Sequence, residues 1–353
     1  MTSSPAAPGT RLASRLGFSD RVFLGPAARR VAREIEEGLD LVESGLADEL
    51  RVADAVADAA SRYLYEAGGK RIRPVLTLLA AQLGEGNIPP VIDIAKALEL
   101  THLGSLYHDD VMDGADKRRG VPAAHAVWGN SVAILTGDIL FSRASQIMSR
   151  YGDRAIRLQA DTFERLVLGQ MHETVGPQEG DDPIAFYIQV LADKTGSLIA
   201  AATQGGVIFS NAPAEYEEPM RVYGEKVGVA FQLLDDVIDL SADPAETGKV
   251  PGTDLRAGVP TMPSLLLKAG EAEADQDLAA RIDDGVVRIA GGEDPGILDG
   301  PLAELRDHDA TRRTLELART WTAEAIAALE PLPKGTVREA LTRFAETLAD
   351  RSS

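Results

Sequence analysis

Twice in this chain a stretch that reads as an apolar helix runs into the pattern Asp-Asp-x-x-Asp, first in "LTHLGSLYHDDVMD", which ends at Asp113, and again in "FQLLDDVIDL", which holds Asp235, Asp236 and Asp239. Like charges this close repel, and carboxylates among leucines are costly to bury unless something positive neutralises them. A fold that accommodates both copies must bring cations to them, as side chains or as metal ions. In a helix, residues four apart share a face, so Asp109 and Asp113 point one way while Asp110 is turned about 100° aside. Asp235 and Asp239 repeat the arrangement, with Asp236 in the place of Asp110.

Paired carboxylates one turn apart offer hard oxygen donors of the kind Mg²⁺ takes, usually one or two carboxylates completed by water and substrate phosphates. An alternating-oxygen EF-hand loop is absent. Acid/base chemistry by a single carboxylate pair fits less well, because two helices each carrying a set supply too many carboxylates. One such segment alone is readily a solvated helix end; two in similar apolar surroundings are not.

The 353 residues carry a formal net charge of −19, which argues against a nucleic-acid or anionic-membrane binder, since phosphate backbones reward a basic field. There are 0 cysteines, so disulfides, thiolate metal sites and cysteine nucleophiles are excluded. No uninterrupted apolar stretch is long enough to span a membrane. The opening "MTSSPAAPGTRLASRLG" lacks the apolar core of a secretory signal and reads as part of a disordered tail over 1–24. A cytoplasmic location is the expectation.

Aromatic residues make up only 5% of the chain, while Ala and Leu abound, so helices are favoured. "SRYLYEAGGKRIRPVLTLLAAQLG" reads as a helix, a Gly-Gly break, and a second helix with Pro74 in its first turn. "PPVIDIAKALELTHLGSLYHDDVMD" is apolar on almost every face and belongs in the middle of a bundle. Further helices are expected at about 129–150, 153–174, 183–209 and 215–240. No βαβ alternation is present. The expected fold is all-α, one large domain over 25–353, with a motif-bearing core at about 60–270 and C-terminal helices over 271–350.

Basic islands stand out against this acidity. "GGKRIRP" places Lys70, Arg71 and Arg73 at a helix start, where free backbone N–H groups also favour anions. "DKRRG" places Lys117, Arg118 and Arg119 just beyond the first carboxylates. Guanidinium forks match phosphate oxygens. Two cationic islands and two carboxylate shelves together imply two diphosphate sites, one metal-bridged and one held by side chains.

Together "GGKRIRP", "LTHLGSLYHDDVMDGADKRRG", "DKTGSL", "FQLLDDVIDL" and "GKVPGTDL", in this order and over roughly 60–270, make the chain resemble the all-trans polyprenyl diphosphate synthases, class I prenyltransferases that elongate isoprenoid chains. The resemblance implies a large helical bundle around a central cavity, a homodimer, and Mg²⁺ (about three ions) with the diphosphate substrate. It implies isopentenyl diphosphate and an allylic diphosphate as substrates, no nucleic acid, and a transient membrane contact for product release. By the same resemblance Asp109 and Asp113 hold metal with Asp110 in support, and Asp235 holds metal with Asp236 and Asp239 around it. Lys70, Arg73, His102 and Arg119 form the isopentenyl diphosphate pocket, although His102 by itself reads as a core histidine. Arg118, Lys194 and Lys249 contact the allylic diphosphate, while Lys194, Thr195 and Gln232 face the allylic cation. One departure is Val259, which stands where the family often has a second lysine. His172 and Glu173 receive no role.

Product length follows from what lies beneath the first aspartates. Leu98, Thr101 and Ser105 lead back along the face of Asp109, with Gly104 beside Ser105. Short-chain relatives carry bulk where this chain has Gly104 and Ser105, so the product is expected to exceed farnesyl by at least one turn of tunnel, about 5.4 Å. A medium- or long-chain polyprenyl diphosphate, as in respiratory quinone side chains, is the reading; geranylgeranyl diphosphate is the alternative. A class I terpene cyclase and a non-catalytic partner subunit fit less well, because the isopentenyl pocket and both aspartate motifs are present.

Overall fold

The computed structural model describes residues 25–241 and 251–350; the expected N-terminal tail 1–24 and the site residue Lys249 lie outside the described residues. The architecture is all-α. Its helices are α1 (Pro26–Glu49), α2 (Ala55–Glu66), α3 (Ile72–Ala81), α4 (Pro89–Met112), α5 (Ala124–Trp128), α6 (Asn130–Ser149), α7 (Asp153–Val175), α8 (Pro183–Leu191), α9 (Ser197–Phe209), α10 (Glu217–Ser241), α11 (Thr253–Arg256), α12 (Met262–Lys268), α13 (Glu273–Ala290), α14 (Asp299–Asp307), α15 (Asp309–Ala328) and α16 (Thr336–Asp350). The described strands are β1 (Lys117–Arg118) and β2 (Val121–Pro122), an antiparallel hairpin that the helical reading of the sequence did not anticipate.

Local chemistry sets the helix starts. Asp54 caps α2 by accepting from the N–H groups of Val56 (3.0 Å) and Ala57 (2.9 Å), and Asp182 does the same for α8 through Ile184 (2.9 Å) and Ala185 (3.3 Å). Proline stands in the first turn of α1, α4 and α8, where its missing N–H leaves no bond unmade.

The helices group into two compact units. The first contains 25–166, 197–225 and 328–344, the second 167–196, the described residues of 226–327, and 345–350. In the first unit α4 is central, packed along α6 and touched by α1, α3 and α9. It buries Val91, Ile94, Leu98, Leu103 and Tyr107, which lie on different sides of the helix, as expected of a helix surrounded by others. Each fully buried aliphatic side chain contributes about 1.5–3 kcal/mol. The Tyr107 hydroxyl accepts from Leu64 N–H (3.2 Å) and donates to the Ala60 carbonyl, pinning α2 to α4. The Tyr223 hydroxyl of α10 donates to the Leu341 carbonyl of α16 (2.8 Å). In the second unit α12 packs on α8 and α13, and α13 on α14.

One close approach between helices in the first unit depends on a residue without a side chain. A Cβ on Gly206 of α9 would lie 2.3 Å from the Thr77 carbonyl oxygen and 2.8 Å from Ala80 Cβ, both on α3. Gly206→Ala is expected to lower the unfolding free energy by about 1–3 kcal/mol, read as a lower urea midpoint with unchanged slope.

Candidate active site

The first unit gathers the basic islands around His102. After α2, Gly68 and Gly69 turn the chain with φ of 94° and 144°, and Arg71 follows in a left-handed conformation (φ 53°) as the cap residue of α3. A side chain on Gly69 would strike the guanidiniums of Arg71 and Arg119, so this turn is open only to glycine. Arg71 is buried: it donates to Glu99 (3.2 Å) and to the carbonyls of Gly68 (3.3 Å) and Tyr65 (3.2 Å), and lies 4.9 Å over the Tyr65 ring. Lys70 is exposed on the same turn.

Arg119 arrives from the hairpin. With Gly120 it occupies the two linking positions between β1 and β2, at φ 54° and 80°, the left-handed pair that two-residue hairpins need. Its guanidinium donates to the carbonyls of Leu64 (2.8 Å) and Gly68. Its neighbour Arg118 turns elsewhere and grips Asp110 Oδ1 through Nε (2.7 Å) and Nη2 (2.6 Å). The hairpin therefore sends adjacent arginines to separate partners, Arg119 to backbone carbonyls and Arg118 to Asp110.

His102 and Arg73 are deep among protein atoms yet keep some accessible surface, as side chains lining a recess do. Burial, reinforced by the guanidiniums of Arg73, Arg119, Arg71 and Arg118, holds the His102 ring well below its usual pKa, so it is neutral at neutral pH. Burial also brings Arg73 down to about 10, with Glu99 opposing the shift. Arg73 Nε is buried with no partner among the described residues. A neutral imidazole, the partly accessible Arg73 and the tethered Arg119 are donors of the kind an anion could accept from.

Beside this pocket stands the first aspartate motif. Asp109 is half-buried, and Asp113 is exposed as the residue that ends α4, its N–H bonded to the Asp109 carbonyl (2.8 Å). Asp110 is fully buried; burial raises its pKa while Arg118 opposes the rise. Its Oδ2 has no partner among the described residues. The chain-length positions further back are occupied differently than expected. A Cβ on Gly104 would meet the Phe141 ring of α6 at 3.1 Å and the Gly137 carbonyl at 3.2 Å, so the space beside Gly104 is filled by α6, and its smallness serves helix packing. Ser105 is buried with its hydroxyl on the His102 carbonyl (2.9 Å), and Thr101 likewise bonds Ala97 (2.9 Å), while Leu98 is buried. Both hydroxyls are thus satisfied within their own helix.

The second unit holds the other motif. Asp235 is exposed, Asp239 half-buried and Asp236 buried. Asp236 accepts from the Tyr187 hydroxyl on both oxygens (3.1 and 3.0 Å) and from Met262 N–H (2.8 Å), so it is bound to protein groups rather than turned outward as a ligand. Burial pushes it up to about 8, opposed by those bonds. Asp239 Oδ2 accepts from Asp254 N–H (3.3 Å). Gln232 is half-buried one turn earlier, and Val259 is exposed. Between α8 and α9 the ladder widens into a π-helical turn, Ala192–Gly196, carrying Lys194 and Thr195, both half-buried. Lys194 Nζ pairs with Glu173, giving that residue the role the sequence withheld. Gly169 of α7 lets this turn come close, because a Cβ there would lie 2.5 Å from Lys194 N. His172 is exposed, with its ring 5.7 Å from Phe186.

Asp109 and Asp113, and separately Asp235 and Asp239, offer only hard oxygen donors, a set that fits a divalent cation such as Mg²⁺. Among the described residues no three acidic, histidine or cysteine side chains gather into a preformed cage, so an ion at either face would complete its shell with phosphate and water. Sequence reasoning missed Glu99 and Tyr187, and noticed Glu173 without finding its partner. Glu99, three residues before His102 and so on nearly the same helix face, was the one detectable signal, an acid inside an apolar helix.

The depressed His102 sets a direction for pH dependence. Its folded pKa lies below the unfolded 6.5, so as pH falls through 6.5 the unfolded chain takes up a proton that the folded protein refuses, and stability is lost. Relative to His102→Asn, the wild type is expected to lose up to about 1.4 kcal/mol per pH unit below that point, measured by urea unfolding from pH 7 to pH 5.

Comparison with known proteins follows the same lines. The profile of the polyprenyl synthetase family matches residues 54–285. The nonaprenyl diphosphate synthase of Mycobacterium tuberculosis is 41% identical over 331 residues, covering 94% of this chain and 96% of the relative. The polyprenyl synthase from Caulobacter crescentus, solved with calcium and isoprenyl diphosphate, superposes with a TM-score of 0.81 at 31% identity over 92% of this chain and 98% of that one. The geranylgeranyl pyrophosphate synthase from Corynebacterium glutamicum, also solved with calcium and isoprenyl diphosphate, gives 0.80 at 38% identity over 94% and 99%. With most of its length matched by profile, by sequence and by fold, this chain belongs to the polyprenyl synthetase family.

Proposed function

We propose that this prenyltransferase condenses isopentenyl diphosphate with an allylic diphosphate to give a medium- or long-chain all-trans polyprenyl diphosphate. The observation that carries the reading is the receptor around His102, a concentration of guanidiniums inside a chain of net charge −19. Arg73 and His102 keep some accessible surface, and a diphosphate oxygen is an acceptor suited to a guanidinium there. In this reading Lys70, Arg73, His102 and Arg119 hold isopentenyl diphosphate. Lys194 exchanges Glu173 for the allylic diphosphate, with Arg118 and Lys249 in support.

Asp109, Asp113, Asp235 and Asp239 hold Mg²⁺, which supplies charge neutralisation to the departing diphosphate. The allylic C–O bond breaks to leave a carbocation, the isopentenyl double bond attacks it, and a proton is lost from the adduct. Thr195, Gln232 and the opened backbone of the π turn present oxygen dipoles to that cation.

Ser105 and Thr101, with hydroxyls already satisfied, present the chain with an effectively apolar wall. That supports a product beyond farnesyl. The Phe141 ring against Gly104, together with the Corynebacterium relative, favours geranylgeranyl diphosphate as the second reading. No helix among the described residues is long and apolar enough to cross a membrane, and a cytoplasmic enzyme that meets a membrane transiently on product release is part of the same proposal. Exposed Ile156, Leu168 and Met171 along α7 support a homodimer, testable by sedimentation.

Incubating the protein with isopentenyl diphosphate, Mg²⁺ and each allylic primer, then sizing the products, tests the reading directly; no elongated product from any primer defeats it. Asp109→Ala and Asp235→Ala are each expected to reduce turnover by about a hundredfold or more while leaving helical content intact by circular dichroism. Ser105→Phe is expected to shorten the product ladder, and an unchanged ladder places the tunnel along another face.

A further inference from the structure

Asp236 is the middle member of its motif, turned about 100° from the face of Asp235 and Asp239. It is buried, and its carboxyl group is held from two other elements: the Tyr187 hydroxyl of α8 bonds both oxygens (3.1 and 3.0 Å), and the Met262 N–H at the start of α12 bonds Oδ2 (2.8 Å). Met262 N–H is one of the donors that a helix start leaves without a partner inside the helix. The neighbouring Thr261 N–H is served separately by Ser264 Oγ (3.0 Å).

We propose that Tyr187 is a positioning residue for the metal-holding face of α10, acting through Asp236. The proposal rests on the prenyl-transfer reading above. Rotation of α10 about its own axis is the motion that displaces Asp235 and Asp239 most directly. Side-chain ends lie about 5–6 Å from a helix axis, so a roll of about 10° moves each carboxylate by about 1 Å, enough to spoil metal coordination. A side chain fixed on a different face of the same helix opposes that roll, and Asp236 is so fixed. Tyr187 is itself only 9% exposed, and Tyr187→Phe keeps the buried ring. Removing only the oxygen therefore loosens the carboxyl group without emptying the core.

The test compares wild type, Tyr187→Phe, Asp236→Asn and the double variant, reading Mg²⁺-dependent binding of inorganic pyrophosphate by calorimetry, with melting curves and steady-state kinetics alongside. A positioning role predicts that Tyr187→Phe raises the Mg²⁺ concentration for half-maximal pyrophosphate binding by about ten- to a hundredfold. The KM for isopentenyl diphosphate, whose pocket is built from other residues, stays unchanged. Asp236→Asn weakens binding to a similar degree, and the double variant is no worse than the weaker single one. An unchanged Mg²⁺ requirement in Tyr187→Phe overturns the proposal. So does an Asp236→Asn protein that has lost all Mg²⁺-dependent binding, since Asp236 would then be a ligand. If Tyr187→Phe melts too low to measure, Asp236→Asn alone decides between weakened and abolished binding. A wild type that binds Mg²⁺ and pyrophosphate yet elongates no primer defeats the prenyl-transfer reading, an outcome separate from the variant comparison.

Discussion

A single buried carboxylate underlies the cationic pocket. Glu99 lies inside α4 and pairs with Arg71, which is itself buried, while Arg73 and Arg119 lie within its electrostatic reach. Without that negative charge the guanidiniums would repel one another in a medium that screens poorly, and removing one partner of such a pair costs about 3–5 kcal/mol. Arg71 in turn is held by two carbonyls and a tyrosine ring, so its charge is matched by Glu99 while those of Arg73 and Arg119 remain in excess. The protein thus presents a locally positive cluster within an acidic molecule.

The two aspartate motifs share a division of labour. In each, the middle residue is taken up by the protein: Asp110 by Arg118, and Asp236 by Tyr187 and Met262. The first and last members are the more exposed ones, and they are the ones spaced to share a helix face. The motif therefore couples a fastening to a pair of more exposed carboxylates within five residues. This also recasts Arg118, whose resting contact is an aspartate; any contact with diphosphate must share or exchange that bond.

Much of this was legible from the residues alone. Helices, the Gly-Gly break before α3 and the buried character of α4 follow from periodicity and turn chemistry, whereas the grouping of His102 with Arg73 and Arg119 comes from the resemblance of the motifs, since His102 by itself reads as a core histidine. What escaped was set by tertiary contact. The β1–β2 hairpin rests on a left-handed Arg119, a conformation that a sequence rarely announces. Gly104 looked like open space because one helix was being considered; the ring that fills the space belongs to α6. Tyr187 is indistinguishable from a packing residue, and Glu173, though conspicuous, has no role, until their partners, Asp236 and Lys194, come into view.

The π turn at Ala192–Gly196 rests against a residue with no side chain. Because a Cβ at position 169 would lie 2.5 Å from the backbone nitrogen of Lys194, the depth at which that lysine sits is set by a hydrogen atom on α7. Backbone is the obstacle there, and it does not rotate aside as a flexible side chain does. Changing the lysine alters which charge is presented, whereas changing the glycine alters where any charge can be presented. Position 169 is therefore the geometric boundary of this turn: altered reach at 194 has to come from a longer or shorter side chain on an unmoved backbone.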